Sequence, residues 1–234
     1  MNMKMNPRNL VPKLICTSAL AGLALVGTAC STTRPATAVT QNQASQAGLT
    51  PTEALTLLEA GNERFVAGQP LNRDLTAQRE ATAAGQHPFA VVLSCLDSRT
   101  STELVFDQGL GDIFNARVAG NVLNDDILGS MEFACQVAGA KVIAVIGHTS
   151  CGAVKGAADS VRLGNLTGLL DKIRPAVTAT PGGQVDAVAE ANVRLVMRQI
   201  RERSPLLDGL IREERVLLVG GMQDLESGRV TFFQ

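Results

Sequence analysis

Four short runs of mainly aliphatic residues, spaced well apart along the chain, constrain its fold more than any other feature. The runs cover residues 89–93, 113–118, 141–146 and 216–219. Runs of this length suit strands that are buried on both faces. Helical patterns over residues 126–137 and 184–203 lie between them, and strands that alternate with helices form mostly parallel sheets. We therefore predict an α/β fold with a mostly parallel central sheet of four strands, an added edge strand at 229–233, and flanking helices.

The first thirty residues have the pattern of a secretory signal peptide. Lys4, Arg8 and Lys13 precede an uncharged, largely apolar run over residues 14–29, which small residues close before Cys30. This ending is similar to a bacterial lipobox, a resemblance that implies lipidation of Cys30. We expect an exported protein that is anchored by lipid in the periplasm. Ordinary cleaved secretion and an uncleaved anchor are the alternatives.

Residues 31–48 are mostly Ser, Thr, Ala and Gln, and Val39 is their only large aliphatic residue. Such a segment cannot bury enough apolar surface to order itself, so we predict a disordered tether. Ser31 stands where an Asp would favour retention at the inner membrane, which points to the outer membrane. Thr50 and Glu53 form the signature of a helix N-terminus, so the folded domain is predicted to cover residues 49–234.

Composition argues against nucleic acid as a partner. The chain has 21 basic and 22 acidic residues, a formal net charge of −1, and neither Trp nor Tyr. It therefore lacks both the positive charge that binds phosphates and the aromatic side chains on which single strands stack.

Candidate metal ligands follow two of the predicted strands. Cys95 comes after the first strand, and His148 and Cys151 come after the third. If these strands are neighbours, the three side chains meet, and two thiolates with one imidazole suit Zn²⁺. Three protein ligands leave a fourth position for water, although Asp97 could occupy that position itself in a closed state. A disulfide between Cys95 and Cys151 is the alternative, because an exported protein meets an oxidising compartment.

The motifs around these residues resemble those of β-class carbonic anhydrases. The segments that carry the resemblance are Cys95-Leu96-Asp97-Ser98-Arg99, Arg117-Val118-Ala119-Gly120-Asn121 and the stretch from Gly147 to Lys155. Together with flanking matches they span nearly all of the predicted domain. The resemblance implies one Zn²⁺ per subunit on Cys95, His148 and Cys151.

The same resemblance implies the activity, which is reversible hydration of CO2 to bicarbonate by zinc-bound hydroxide. Asp97 and Arg99 match the catalytic dyad of the family. Gln86 matches a glutamine that binds substrate in the partner subunit's site, so a homodimer or homotetramer is expected. Some members have a second, non-catalytic bicarbonate pocket, and of its residues only Arg117 is kept here, since Val92 and Gln223 replace the other two.

Two other functions remain compatible with the motifs. A hydrolase of CS2 or COS would use the same fold and metal. A lipoprotein that stores zinc or senses redox state would use the cysteines without catalysis, but it would not explain Asp97 and Arg99 beside an open metal position.

Overall fold

A computed structural model describes residues 39–234 of the chain. The predicted signal peptide at 1–30, the lipidation site Cys30 and the tether residues 31–38 lie outside the described residues. Within 39–234, no helix is both long enough and apolar enough to cross a membrane.

A five-stranded sheet forms the centre of the fold, in the order β2-β1-β3-β4-β5. Its strands are β1 (Ala90–Ser94), β2 (Ile113–Arg117), β3 (Val142–His148), β4 (Leu217–Gln223) and β5 (Val230–Phe233). The first four are mutually parallel, and β5 runs antiparallel to β4 at the edge. The predicted architecture is therefore confirmed, including the neighbouring positions of β1 and β3.

Helices cover both faces of the sheet. They are α1 (Gln43–Gly48), α2 (Pro51–Val66), α3 (Leu75–Thr82), α4 (Thr102–Val105), α5 (Asp125–Glu132), α6 (Gly152–Ala158), α7 (Gly164–Asp171), α8 (Arg174–Ala179), α9 (Val185–Arg203) and α10 (Pro205–Arg212). The predicted N-terminus of α2 is confirmed, because Thr50 accepts a hydrogen bond from the Glu53 N–H while the Glu53 carboxylate accepts from the Thr50 N–H. The predicted helix over 126–137 ends as α5 at Glu132 and continues as a π-helical turn.

Alternation along each strand divides the core between the two faces. Val91 and Leu93 of β1 pack in a cluster with α5, α9 and α10, whereas Ala90 and Val92 pack in a second cluster with α2 and α4. Successive side chains of a strand point to opposite faces, so an uninterrupted aliphatic run fills both clusters. A third cluster lies among α6, α7, α8 and α9, next to Cys95 and Cys151.

The predicted disorder of residues 31–48 is wrong at its C-terminal end, because residues 43–48 form helix α1. Asn42 caps this helix, and its side chain and that of Ser45 form a capping box. The buried Gln46 side chain donates to the carbonyl oxygens of Pro88 (2.6 Å) and Ala138 (2.7 Å). The prediction of disorder considered only how much apolar surface the segment can bury. The segment is instead held by hydrogen bonds from the Gln46 side chain.

Candidate metal centre

The carboxyl ends of β1 and β3 meet at one edge of the sheet. Ser94, the last residue of β1, pairs with Ile146 of β3, so Cys95 follows directly beside the end of β3. His148 is the last residue of β3, and Cys151 immediately precedes α6. Ligand sites in open parallel sheets form beyond such strand ends.

Cys95, His148 and Cys151 converge, as their positions in the sequence predicted. One potential ligand atom from each lies within 4.8 Å of the other two, and all three residues are buried. Ligand atoms about 2.0–2.3 Å from a tetrahedral zinc ion are roughly 3.5 Å apart, so this spacing fits the ion. Both cysteines are free thiols rather than disulfide partners.

The orientation of His148 also suits a metal. Its Nδ1 lies 2.8 Å from the carbonyl oxygen of Thr149, an arrangement in which Nδ1–H donates and Nε2 keeps its lone pair. Nε2 is buried and has no hydrogen-bond partner among residues 39–234. A buried nitrogen with a free lone pair is what a zinc ligand requires, and fixing the other ring nitrogen in this way is typical of such sites.

The two sulfurs interact with each other. Their proximity lowers the pKa of Cys95 and raises the pKa of Cys151. The backbone N–H of Gly120 also donates to the Cys95 sulfur at 3.3 Å. A bound divalent cation would favour the thiolate form of both residues.

Asp97 and Arg99 form a two-pronged ion pair beside these ligands. Arg99 Nε donates to Asp97 Oδ1 (2.9 Å), and Nη2 donates to Oδ2 (2.8 Å). The Arg99 backbone N–H adds a further bond to Oδ1 (3.0 Å). These contacts, foremost the hydrogen bonds from the Arg99 side chain, hold the pKa of Asp97 well below its usual range. Asp97 is therefore ionised and held on Arg99 in this structure, apart from the three ligand atoms.

Two residues support the turn that carries the dyad, a role that their positions in the sequence did not predict. Thr100 Oγ1 donates to the carbonyl oxygens of Cys95 (3.1 Å) and Asp97 (2.9 Å). The Arg117 guanidinium donates to the carbonyl oxygens of Cys95 (3.0 Å), Leu96 (3.1 Å) and Asp97. Arg117 therefore has a structural role at this turn. That role accounts for an arginine at this position without a second bicarbonate pocket. The sequence separation between Arg117 and Cys95 does not predict these contacts.

Gln86 lies at the opposite end of β1 from Cys95. It is exposed in the loop after α3, and the five residues of β1 separate the two ends by roughly 17 Å. Gln86 therefore does not join the three ligands within one chain.

Comparisons with known proteins agree with this geometry. The profile of the family described as carbonic anhydrase matches residues 90–230. Carbonic anhydrase 2 of Mycobacterium tuberculosis is 37% identical over 188 residues, which cover 76% of this chain and 91% of that protein.

Solved structures share the fold. The β-carbonic anhydrase CafA of Aspergillus fumigatus superposes with a TM-score of 0.62 at 26% identity, covering 68% of this chain and 81% of that one. The tetrameric β-carbonic anhydrases of Sordaria macrospora give a TM-score of 0.60 at 21% identity, covering 68% of this chain and 90% of the matched chain. From the family profile, the sequence relatives and the shared fold, it follows that this chain belongs to the β class of the carbonic anhydrase family.

Proposed function

We propose that this protein is a zinc-dependent carbonate dehydratase that catalyses the reversible hydration of CO2 to bicarbonate and a proton. The observation that carries the proposal is the convergence of Cys95, His148 and Cys151 beside the ion-paired Asp97. Zinc bound by these residues would supply the Lewis acidity that lowers the pKa of water from 15.7 toward about 7.

Asp97 is proposed to orient the attacking water. Its Oδ2 accepts one hydrogen bond from Arg99, whereas its Oδ1 accepts two, so Oδ2 is the better acceptor for a proton of that water. A water that donates a hydrogen bond to Oδ2 has its orientation fixed, so that a lone pair on its oxygen can face the carbon of CO2. This role requires an ionised carboxylate, and the lowered pKa of Asp97 supports it.

Arg99 is proposed to position Asp97. Its guanidinium is cationic at any working pH, and its planar fork matches both carboxylate oxygens. It therefore favours the ionised form of Asp97 and keeps the carboxylate away from the metal position.

If Asp97 left Arg99, it could become the fourth ligand and displace water, which is the closed state that the sequence suggested. Metal-site structures at pH 6.5 and 8.5 test this, because an open site with unchanged activity at both values would exclude the closed state over that range.

The proposed reaction is tested with purified protein of known zinc content. We expect one zinc per subunit and CO2 hydration in a stopped-flow pH-indicator assay, both lost when zinc is removed. Parallel assays with CS2 and COS distinguish the alternative, a hydrolase of these substrates. No observation on this chain favours that alternative. Stoichiometric zinc without any of these activities would contradict the proposal and leave a zinc-storing protein.

Homo-oligomers are proposed because the chain exposes an edge strand and apolar surface. β2 pairs only with β1 in the described region. Beside it, Phe114, Ala116, Ile127 and the half-exposed Phe133 line a groove of about 810 Å³. Gln86 lies too far from the ligands of its own chain, so the substrate-binding role implied by the resemblance would need a partner subunit. Light scattering after size exclusion should give a dimer or tetramer, as in the tetrameric neighbours, and a monomeric active enzyme would contradict this.

Export and lipidation are proposed from residues 1–30 alone. The support is the basic region, the uncharged run and the lipobox-like ending at Cys30. Labelled palmitate should enter the full chain in bacteria and appear in the outer-membrane fraction, and Cys30→Ala should abolish the labelling. Unlabelled protein in the soluble periplasm would instead indicate ordinary secretion.

A further inference from the structure

A buried polar residue interrupts the apolar face of α9. Asn192 is 1% exposed, and it stands one turn from Val188 on one side and from Val196 on the other, both of them core residues. Burying an amide among aliphatic side chains costs free energy unless the amide is hydrogen-bonded. Its position on this face therefore calls for a specific partner.

That partner is the backbone of a residue that contacts the metal ligands. Asn192 Nδ2 donates to the carbonyl oxygen of Gly120 at 2.8 Å. The N–H of the same Gly120 donates to the sulfur of Cys95 at 3.3 Å. Two hydrogen bonds, one on each side of residue 120, thus link α9 to the Cys95 ligand.

Gly120 is suited to this link and needs to be held in place. Its φ of 66° lies in the left-handed region, and a Cβ atom there would come within 2.6 Å of Ile173 Cδ1. Glycine is favoured there by the positive φ, and glycine restricts its own backbone least of all residues. An anchor on its carbonyl group therefore helps to determine where its N–H points.

We propose that Asn192 is a positioning residue of the metal centre, which directs the Gly120 N–H onto the Cys95 sulfur. A hydrogen bond to a ligating thiolate withdraws electron density from the sulfur and stabilises its ionised form. Two thiolates cancel the charge of a zinc ion, so such a bond matters more here than in a site with neutral ligands. The proposal rests on the zinc site described above.

The hydrogen bond can be observed directly in the intact protein. We would substitute ¹¹³Cd for zinc in ¹⁵N-labelled, deuterated full-length protein and measure couplings between the metal and amide protons. A coupling to the Gly120 proton through the sulfur is expected. We expect it to be lost in Asn192→Leu, which removes the amide at similar volume, and in Asn192→Ala, which removes both the donor and its side-chain volume.

Zinc affinity provides the second measurement. Competition with a chelator should show 10- to 100-fold weaker zinc binding in both variants, the usual effect of losing an outer hydrogen-bond partner of a ligand. Val196→Ala is the matched control, because it removes core packing from the same face of α9 without touching Gly120. It should lower thermal stability while leaving the coupling and the zinc affinity unchanged.

The outcomes distinguish failure of the zinc site from failure of the role of Asn192. Protein that binds no stoichiometric metal would overturn both the zinc site and the role of Asn192. A parent protein that binds cadmium without a Gly120 coupling would overturn the role of Asn192 alone. Retention of the coupling, or of full zinc affinity, in a folded Asn192 variant would do the same.

Discussion

Asp97 and Asp107 show how arginines adapt a carboxylate to two different tasks. Asp97 stands at the metal centre with its charge held by Arg99. Asp107 is buried, and it is bound by Arg64 at 2.5 Å, by Arg73 and by the N–H of Leu71. Burial raises the pKa of Asp107, but these partners outweigh burial and the net shift is downward. The first pair is proposed to act on substrate, whereas the second joins the end of α2 to the loop after α4.

Asp97→Asn should keep zinc and lose most activity. The neutral amide is a weaker hydrogen-bond acceptor than the carboxylate and lacks the charge that pairs with Arg99, so we expect kcat/KM for CO2 hydration to fall roughly 100-fold or more. Stopped-flow rates and zinc content would be measured on the same preparations. Asp171→Asn is the control, since Asp171 is an exposed aspartate that also pairs with an arginine. Near-parental turnover by Asp97→Asn would exclude the orienting role.

Asp107→Asn should destabilise the fold and change its response to acid. Removing one partner of a buried ion pair costs about 3 kcal/mol, because the two arginines keep their charge. The folded-state pKa of Asp107 is lowered, so its contribution is complete above the ordinary pKa of about 3.9 and is lost as pH falls below it. Urea unfolding at pH 7 and near pH 3.5 should show a large difference between parent and variant at pH 7 and a smaller one at pH 3.5. Equal differences in unfolding free energy at the two pH values would contradict this expectation. Asp126→Asn, a substitution of an exposed aspartate, is the control and should have little effect at either pH.

At the scale of elements, α1 and α2 both begin with a capping box, but they are held differently. α2 buries Ala54 and Leu58 against the sheet, so apolar periodicity predicted it. α1 buries only a glutamine. Its position depends on the Pro88 and Ala138 carbonyl groups, which lie in the segments that precede β1 and β3.

Gln46→Ala should detach α1. Two carbonyl groups would lose their donor, which we expect to cost about 1–2 kcal/mol in unfolding free energy. Urea midpoints would be compared with those of Gln43→Ala, an exposed substitution on the same helix. If both variants behaved alike, α1 would contribute little to the stability of the domain.

At the scale of the whole molecule, the sheet order determines where chemistry can occur. β1 lies between β2 and β3, so the ends of β1 and β3 adjoin and their ligands share one position. A metal bound there joins two central strands to the start of α6. Metal binding and folding stability should therefore be linked.

Removing zinc should lower the melting temperature. A ligand that binds only the folded protein at 1,000 times its Kd contributes about 4 kcal/mol. Thermal unfolding would be followed with and without a chelator, then after zinc is restored. Cys95→Ser, which lacks one thiolate, should respond less to added zinc, and a parent protein with the same melting temperature in both conditions would contradict the linkage.

The sequence alone determined those features that depend on neighbouring residues. The aliphatic runs located all four parallel strands, and Thr50 with Glu53 located the start of α2, because periodicity and capping act over a few positions. The residue types of Cys95, His148 and Cys151 predicted the donor set of the metal centre for the same reason. The catalytic roles of Asp97, Arg99 and Gln86 remain predictions.

Tertiary structure decided the features that depend on residues far apart in the chain. The docking of Gln46 on two loop carbonyl groups, the support of the dyad turn by Arg117, and the link from Asn192 through Gly120 to Cys95 are of this kind. Each of these contacts joins a side chain to a backbone group. Because every residue has the same backbone groups, the sequence does not indicate which residue provides the backbone partner. Asn192 on an apolar helix face was the one visible sign, and only the folded chain shows which carbonyl group it meets.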